Sequence, residues 1–271
     1  MHTQARRLLL ISAVVGAIAI LVPPVAGITP QGWRLLVIFL GTIVGLTAVP
    51  EAGGGVVLLA LTATVVSGVL SLSEALSGYS SSPVWLVVAA FFIARAAIKT
   101  GLARRIALLF IRRFGHTSRG LAYSLVASDI VLATVIPSTA ARTGGIILPI
   151  TRSIAELFKS HPGETSALLG SYLMTIIFQG DIIACAMFLT GQASNPLAAD
   201  LAHRGTGLTL DWGMWLTAAL APGLVSLVLI PLLLARLDGP QITSTPAAAD
   251  FARRELAALG PFSRAEMLLA G

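Results

Sequence analysis

The 271-residue chain is 56% hydrophobic and only 11% charged, against the roughly one quarter of charged residues in a soluble globular domain. That balance excludes a soluble enzyme or binding module and defines a polytopic integral membrane protein. The net charge of +6 accompanies a 6% aromatic share, and the basic residues sit between apolar runs, so topology accounts for the charge and no nucleic-acid partner is expected. The one cysteine, Cys185, rules out a disulfide framework or thiolate metal cluster.

Residues 1–30 open with Arg6 and Arg7 before an apolar run, and read as a first membrane helix in preference to a signal peptide. Further spans are expected at about 33–49, 56–70 and 83–99, each able to cross most of a hydrocarbon core about 30 Å thick. The second carries Gly41 and Gly45, a small-residue spacing that lets helices approach closely. Between Gly101 and Arg119, basic Arg104, Arg105, Arg112 and Arg113 alternate with Ile106, Leu109, Phe110 and Phe114. This predicts an amphipathic helix over 102–114 lying in the interface.

The stretch 120–158 has two apolar arms broken by Ile136-Pro137-Ser138-Thr139-Ala140-Ala141-Arg142-Thr143-Gly144-Gly145. Non-helical backbone at membrane depth is tolerated only against protein or a water-filled cavity, so this turn should line a site. The run 165–201 is too long for one span and is interrupted at Gly191 to Pro196, after which 212–234 forms another span. Residues 239–271 read as an aqueous cytoplasmic linker ending in an apolar start that is not completed, so the chain reads as truncated.

A cytoplasmic N-terminus and a hairpin that enters and leaves on that side place Arg6, Arg7, Lys99, Arg104, Arg105, Arg112, Arg113, Arg119, Arg152, Lys159, Arg236, Arg253, Arg254 and Arg264 together. Only Arg34 and Arg204 fall opposite. The positive-inside bias therefore favours a re-entrant hairpin over a crossing one.

Arg95, Arg142, Asp129 and Asp181 remain at membrane depth as candidate charge partners. Such residues normally face a bundle interior or an aqueous path. Arg142 stands at the turn, where a cation beside free helix-terminal amides suits an anion. Asp129 lies earlier on the first arm, placed to pair or to shuttle protons. Interrupted helices with exposed carbonyl and amide ends are the construction of secondary-transporter sites; kinked packing helices are the alternative. No His-Glu-x-x-His, Walker or paired-carboxylate motif is present, so no enzyme is expected.

The segment Pro137-Ser138-Thr139-Ala140-Ala141-Arg142-Thr143-Gly144-Gly145-Ile146 resembles the hairpin signature Pro-Ser-Asn-Thr-Ala-Arg-x-Gly-Gly-Ile of the divalent anion/sodium symporter (DASS) family. Glu74-Ala75-Leu76-Ser77-Gly78, Val84-Trp85-Leu86, Lys99-Thr100-Gly101-Leu102 and Asn195-Pro196-Leu197-Ala198 resemble its branch of 2-oxoglutarate/malate translocators and citrate/succinate exchangers. The resemblance implies an all-α, elevator-type transporter of two inverted repeats, of which 31–238 would be the first. It implies secondary transport of di- or tricarboxylates by anion exchange or sodium symport, and a homodimer in the inner membrane when full length.

By position, Ser138, Thr139, Ala140, Ala141, Arg142, Thr143 and Asn195 would bind substrate. Pro137, Ser138, Thr139 and Gly191 would hold sodium, the one candidate coupling ion. The family's Asn is Thr139 here and its Thr is Ala140, which moves carboxylate recognition toward backbone amides and weakens the sodium site. A non-transporting scaffold or half-subunit, and a sulfate transporter of the same fold, are the alternatives.

Overall fold

The computed structural model describes residues 10–11, 13–18 and 21–270. The described residues are helical, with one isolated bridge between Thr117 and Ser244 in place of any sheet. Much of the expected first membrane helix, including Arg6 and Arg7, lies outside the described residues. Two compact units divide at Ser81/Ser82.

In the N-terminal unit, α1 (Pro30–Ala48) begins at an N-cap where Thr29 accepts from Gly32 N, with Pro30 at the first helical position. It is followed by a 3-10 turn, Pro50–Ala52, and α2 (Gly53–Val66). The two expected close-approach glycines are both used. A Cβ on Gly41 would stand 2.3 Å from Val15 Cγ2, and one on Gly45 would stand 2.8 Å from Val56 Cγ1. The small-residue spacing therefore seats one neighbouring side chain per glycine. A short helix α3 (Leu72–Leu76) closes the unit behind a Ser71–Glu74 capping box.

The second unit opens with α4 (Ser82–Thr100) and α5 (Leu102–Phe114), joined at Gly101 with φ +85°. The helix α6 (Ser118–Ala133) leads to the turn, π-helical residues Ala140–Ile147 and α7 (Leu148–Leu157). Then come α8 (Gly170–Met187), α9 (Ser194–Thr206), α10 (Trp212–Leu237), α11 (Pro246–Leu259) and α12 (Arg264–Ala270). Helices α1, α4, α8 and α10 are long and apolar enough to cross a membrane. The core lies among α5, α6, α7, α8 and α10, with Leu108, Ile111, Leu121, Leu125, Ile154, Leu173 and Ile176 fully buried. Within a bilayer such contacts stabilise through van der Waals packing, because lipid tails are as apolar as these side chains. Tyr123 and Tyr172 donate to the Val228 and Pro231 carbonyls, fastening α6 and α8 to the proline-bearing middle of α10.

Helix α5 has the residues expected, but its apolar stripe is covered by α6 and α11. Arg105, expected among the solvated cations, is buried. Its Nε donates to Glu266 Oε1 at 2.7 Å, its Nη1 to Gly260 O at 2.9 Å, and its guanidinium lies 4.6 Å from the Phe262 ring.

The expected aqueous stretch 239–271 is docked for the same reason. Thr245 N donates to His116 O and Ser118 N to Thr243 O, while Ala248, Ala249, Ala252 and Leu256 give α11 a narrow apolar stripe that α5 covers. The Ala-rich composition that reads as solvated in sequence is what permits this close approach.

The Arg105 hydrogen bond is the main reason the Glu266 carboxyl is held below its ordinary pKa. A depressed carboxylate adds stability that is complete above its unfolded pKa and is lost as pH falls through the folded value. Limited proteolysis across 260–263 should therefore accelerate as pH is lowered below the ordinary glutamate range. Glu266→Gln should start faster and change little with pH.

Candidate functional site: two helix breaks joined by a buried arginine

The first break lies between α6 and the π-helical segment. Helix α6 ends at Ala133, Pro137 prevents its continuation by lacking an N–H, and helical geometry resumes at Thr139. Ser138 acts from just outside the new helix: its Oγ accepts from Ala141 N at 3.2 Å, and its carbonyl accepts from Arg142 N at 2.9 Å. The second arm then runs in the wider π register, with Leu148 N bonded to Thr143 O. Beside the turn, Ala140, Gly144 and Gly145 are exposed, and nothing lies within 4 Å of a Cβ built on Gly144.

The second break, 188–193, begins three residues earlier than the expected Gly191 to Pro196. Ser194, Asn195 and Pro196 form the first turn of α9, a position that accepts proline because the missing N–H would have no partner there. Asn195 supplies a side-chain cap. Its Nδ2 donates to Cys185 O at 2.8 Å and Phe188 O at 2.9 Å, two of the terminal carbonyls left by α8.

Arg142 joins the two breaks. It is fully buried. Its Nε donates to Asp129 Oδ1 and its Nη2 to Asp181 Oδ1, each at 2.8 Å. Its Nη1 donates to both Ile136 O and Gly191 O, also at 2.8 Å. A planar fork of five donors suits this set; an ammonium does not. Four protein acceptors enclose the guanidinium, and the two carboxylates more than balance its charge.

Of the candidate charge partners, Asp129 and Asp181 thus meet Arg142, whereas Arg95 is exposed on α4 and makes no ion pair among the described residues. Two buried oxygens in this region, Asp129 Oδ2 and Thr143 Oγ1, have no hydrogen-bond partner among the described residues. Among the remaining candidates, Thr139 is half-buried and the Gly191 carbonyl is occupied by Arg142.

Sequence reasoning passed over Thr134, Thr190, Trp212 and Trp215. Thr190 Oγ1 donates to Thr134 O at 2.8 Å and accepts from Trp212 Nε1 at 3.2 Å, and Trp215 Nε1 donates to Ala186 O at 2.9 Å. The available signal was the i, i+3 spacing of two indoles at the start of a span, which puts both on one helix face.

The two helix breaks are thus linked by Arg142 Nη1, which bonds one carbonyl from each, and interrupted helices are a recurring element of secondary-transporter folds. The profile described as Sodium:sulfate symporter transmembrane region matches residues 2–271, and the chain belongs to this family. It is 45% identical to the putative malate transporter YflS of Bacillus subtilis (strain 168), over 96% of this chain and 54% of that protein. Dicarboxylate transporter 1, chloroplastic, of Arabidopsis thaliana is 44% identical over 97% of this chain and 47% of its own length. The L-tartrate/succinate antiporter of Escherichia coli O6:K15:H31 is 34% identical over 94% and 56%. The chain spans about half the length of the curated relatives it matches.

Proposed function

We propose that the full-length protein is a secondary transporter, not an enzyme, that exchanges one dicarboxylate for another across the membrane, and that this chain supplies one half of the binding site. The observation that carries exchange over sodium symport is the pair of bonds from Arg142 Nη1 to Ile136 O and Gly191 O. These carbonyls belong to the two helix breaks from which a sodium site would be built, and a permanent guanidinium charge already occupies them.

The other acceptors follow the same pattern. Cys185 O and Phe188 O accept from Asn195, Ala186 O from Trp215, and Ser138 O from Arg142 N. Of the expected cation set, Ser138 Oγ already spends one of its two lone pairs on Ala141 N, which leaves Pro137 O and Thr139 Oγ1 as the oxygens without a bonded donor among the described residues. On this count of acceptors the residues present do not fit a sodium ion.

The anion is assigned to the N-terminal end of the second arm. Thr139 N and Ala140 N have no acceptor among the described residues, and a helix N-terminus offers such amides with a favourable partial charge. Thr139 Oγ1 and Thr143 Oγ1 stand on the same arm. Asn195 contributes its Oδ1, since its amide donors hold α8. Arg142 orders this arrangement from behind. The names of the relatives support a carboxylate substrate, and the family resemblance supports a homodimer. The side preference of Lys and Arg supports a cytoplasmic N-terminus and a re-entrant hairpin in the inner membrane.

Reconstitution of the full-length protein tests this. Malate-loaded liposomes should take up labelled succinate without sodium, empty liposomes should take up little, and an imposed sodium gradient should leave the rate unaltered. Steep sodium dependence refutes exchange. Absence of movement for every dicarboxylate, with sulfate moving or nothing moving, refutes the substrate assignment and favours the sulfate or scaffold alternatives.

A further inference from the structure

Two connections cross between the helix breaks. One is Arg142 Nη1, and the other runs through Thr190. The Thr190 hydroxyl donates to Thr134 O, at the end of the first hairpin arm, and accepts from Trp212 Nε1. A hydroxyl has the one donor and the acceptor capacity needed to do both. The indole is held in turn by stacking on Phe188, with centroids 6.1 Å apart and planes 27° from parallel. Thr190 thus fixes the first arm of the hairpin to the loop that precedes Asn195, with α10 as the anchor.

We infer that Thr190 is a positioning residue that sets the gap between the hairpin turn and the broken helix, and thereby the length of dicarboxylate accepted. This rests on the exchange reading above. The anion-facing amides of Thr139 and Ala140 stand five and six residues beyond Thr134, and Asn195 stands five beyond Thr190, so the bond spans the two walls at their bases. Succinate and glutarate differ by one methylene, and a site of fixed width discriminates such pairs by about 10- to 200-fold. A site whose width is no longer fixed does not.

The test compares Thr190→Val, which keeps the shape and removes both bonds, with Thr190→Ser, which keeps them, and with Trp212→Phe, which keeps the stacking ring and removes the donor. Competition by succinate and glutarate is measured on the reconstituted full-length protein. Thr190→Val should compress the ratio of their apparent KM values by about tenfold, with maximal exchange within about twofold of wild type. Thr190→Ser should retain the wild-type ratio and Trp212→Phe should fall between.

A second readout needs no transport. A Thr139→Cys probe at the turn, followed by peptide mapping, should react with a thiol reagent several-fold faster once Thr190→Val is added. An unaltered KM ratio, or an unaltered labelling rate, overturns the inference. So does an equal loss of exchange for both diacids, which is what a purely structural role predicts. If the wild-type protein moves no diacid, the exchange reading fails and length selection fails with it, while the labelling rate decides alone whether Thr190 positions the turn.

Discussion

Replacing Arg142 by glutamine is expected to cost the folded protein about 3–5 kcal/mol, the penalty for stranding buried charges by removing their partner. Thermal unfolding of the purified full-length protein, followed by loss of the monodisperse size-exclusion peak, should shift down by on the order of 10 °C. Arg142 is 0% exposed, and its removal leaves Asp129 and Asp181, with side chains 5% and 14% exposed, facing each other without a counter-charge.

Arg142→Lys should recover only part of the loss, because one ammonium cannot meet four acceptors placed around a planar fork. The triple variant Arg142→Gln/Asp129→Asn/Asp181→Asn should be more stable than Arg142→Gln alone, since neutralising the stranded carboxylates removes the main cost. If Arg142→Gln unfolds at the wild-type temperature and raises only the KM for dicarboxylate, then Arg142 is an anion ligand and the enclosure by four protein acceptors does not describe the working protein.

The sequence made the broken hairpin legible because its disruption is chemical. Pro137 lacks a donor and Ser138 can cap, so a break near Ile136 follows from local rules, but the expected turn runs on to Gly145, whereas helical geometry resumes at Thr139 and carries through Gly144 and Gly145. The pairing of Asp129 and Asp181 with Arg142 was legible in kind, since membrane-depth charges seek one another. What local rules do not carry is which of two roles a residue plays. Arg142 beside free amides resembles an anion ligand in sequence, and only the packing of α8 against α6 shows four acceptors closing around it. Asn195 is equally ambiguous until its amide is seen on the carbonyls of Cys185 and Phe188.

The docking of α11 was not legible for a different reason: it depends on a long-range partner, because the alanine stripe of α11 has meaning only once α5 lies against it. Thr190 was hidden most completely. A threonine in an apolar run is usually bonded to its own helix, as Thr151 is to Ile147 O, and the partners of Thr190 stand 56 residues before it and 22 after it.

Gly191→Ala should lower exchange by about 100-fold while Gly144→Ala leaves it intact, and the contrast separates the function of the break from glycine content in general. A Cβ at Gly191 would lie 2.7 Å from Cys185 O and 3.1 Å from both Cys185 Cα and Phe188 O. All three are backbone atoms, so no rotamer relieves the overlap. The loop must move, and its carbonyl must leave Arg142 Nη1, while the caps from Asn195 to Cys185 O and Phe188 O are displaced with it. One lost bond to a charged group is worth about 1.5–3 kcal/mol, and a misplacement on the order of 1 Å in a positioned site can cost about 100-fold in rate. Exchange should therefore fall by roughly that factor, with a thermal shift smaller than that of Arg142→Gln.

At Gly144 nothing lies within 4 Å of the built Cβ, and alanine is the better helix former by about 0.5–1 kcal/mol. Gly144→Ala should therefore leave the unfolding temperature unaltered or slightly raised. An increase in KM on that stable background would place the anion against the exposed face of the π-helical arm. An unaltered KM would place it toward Thr139 and the Asn195 carbonyl instead. Wild-type exchange by Gly191→Ala would mean that the carbonyl of Gly191 and its bond to Arg142 are not needed to hold the two breaks together.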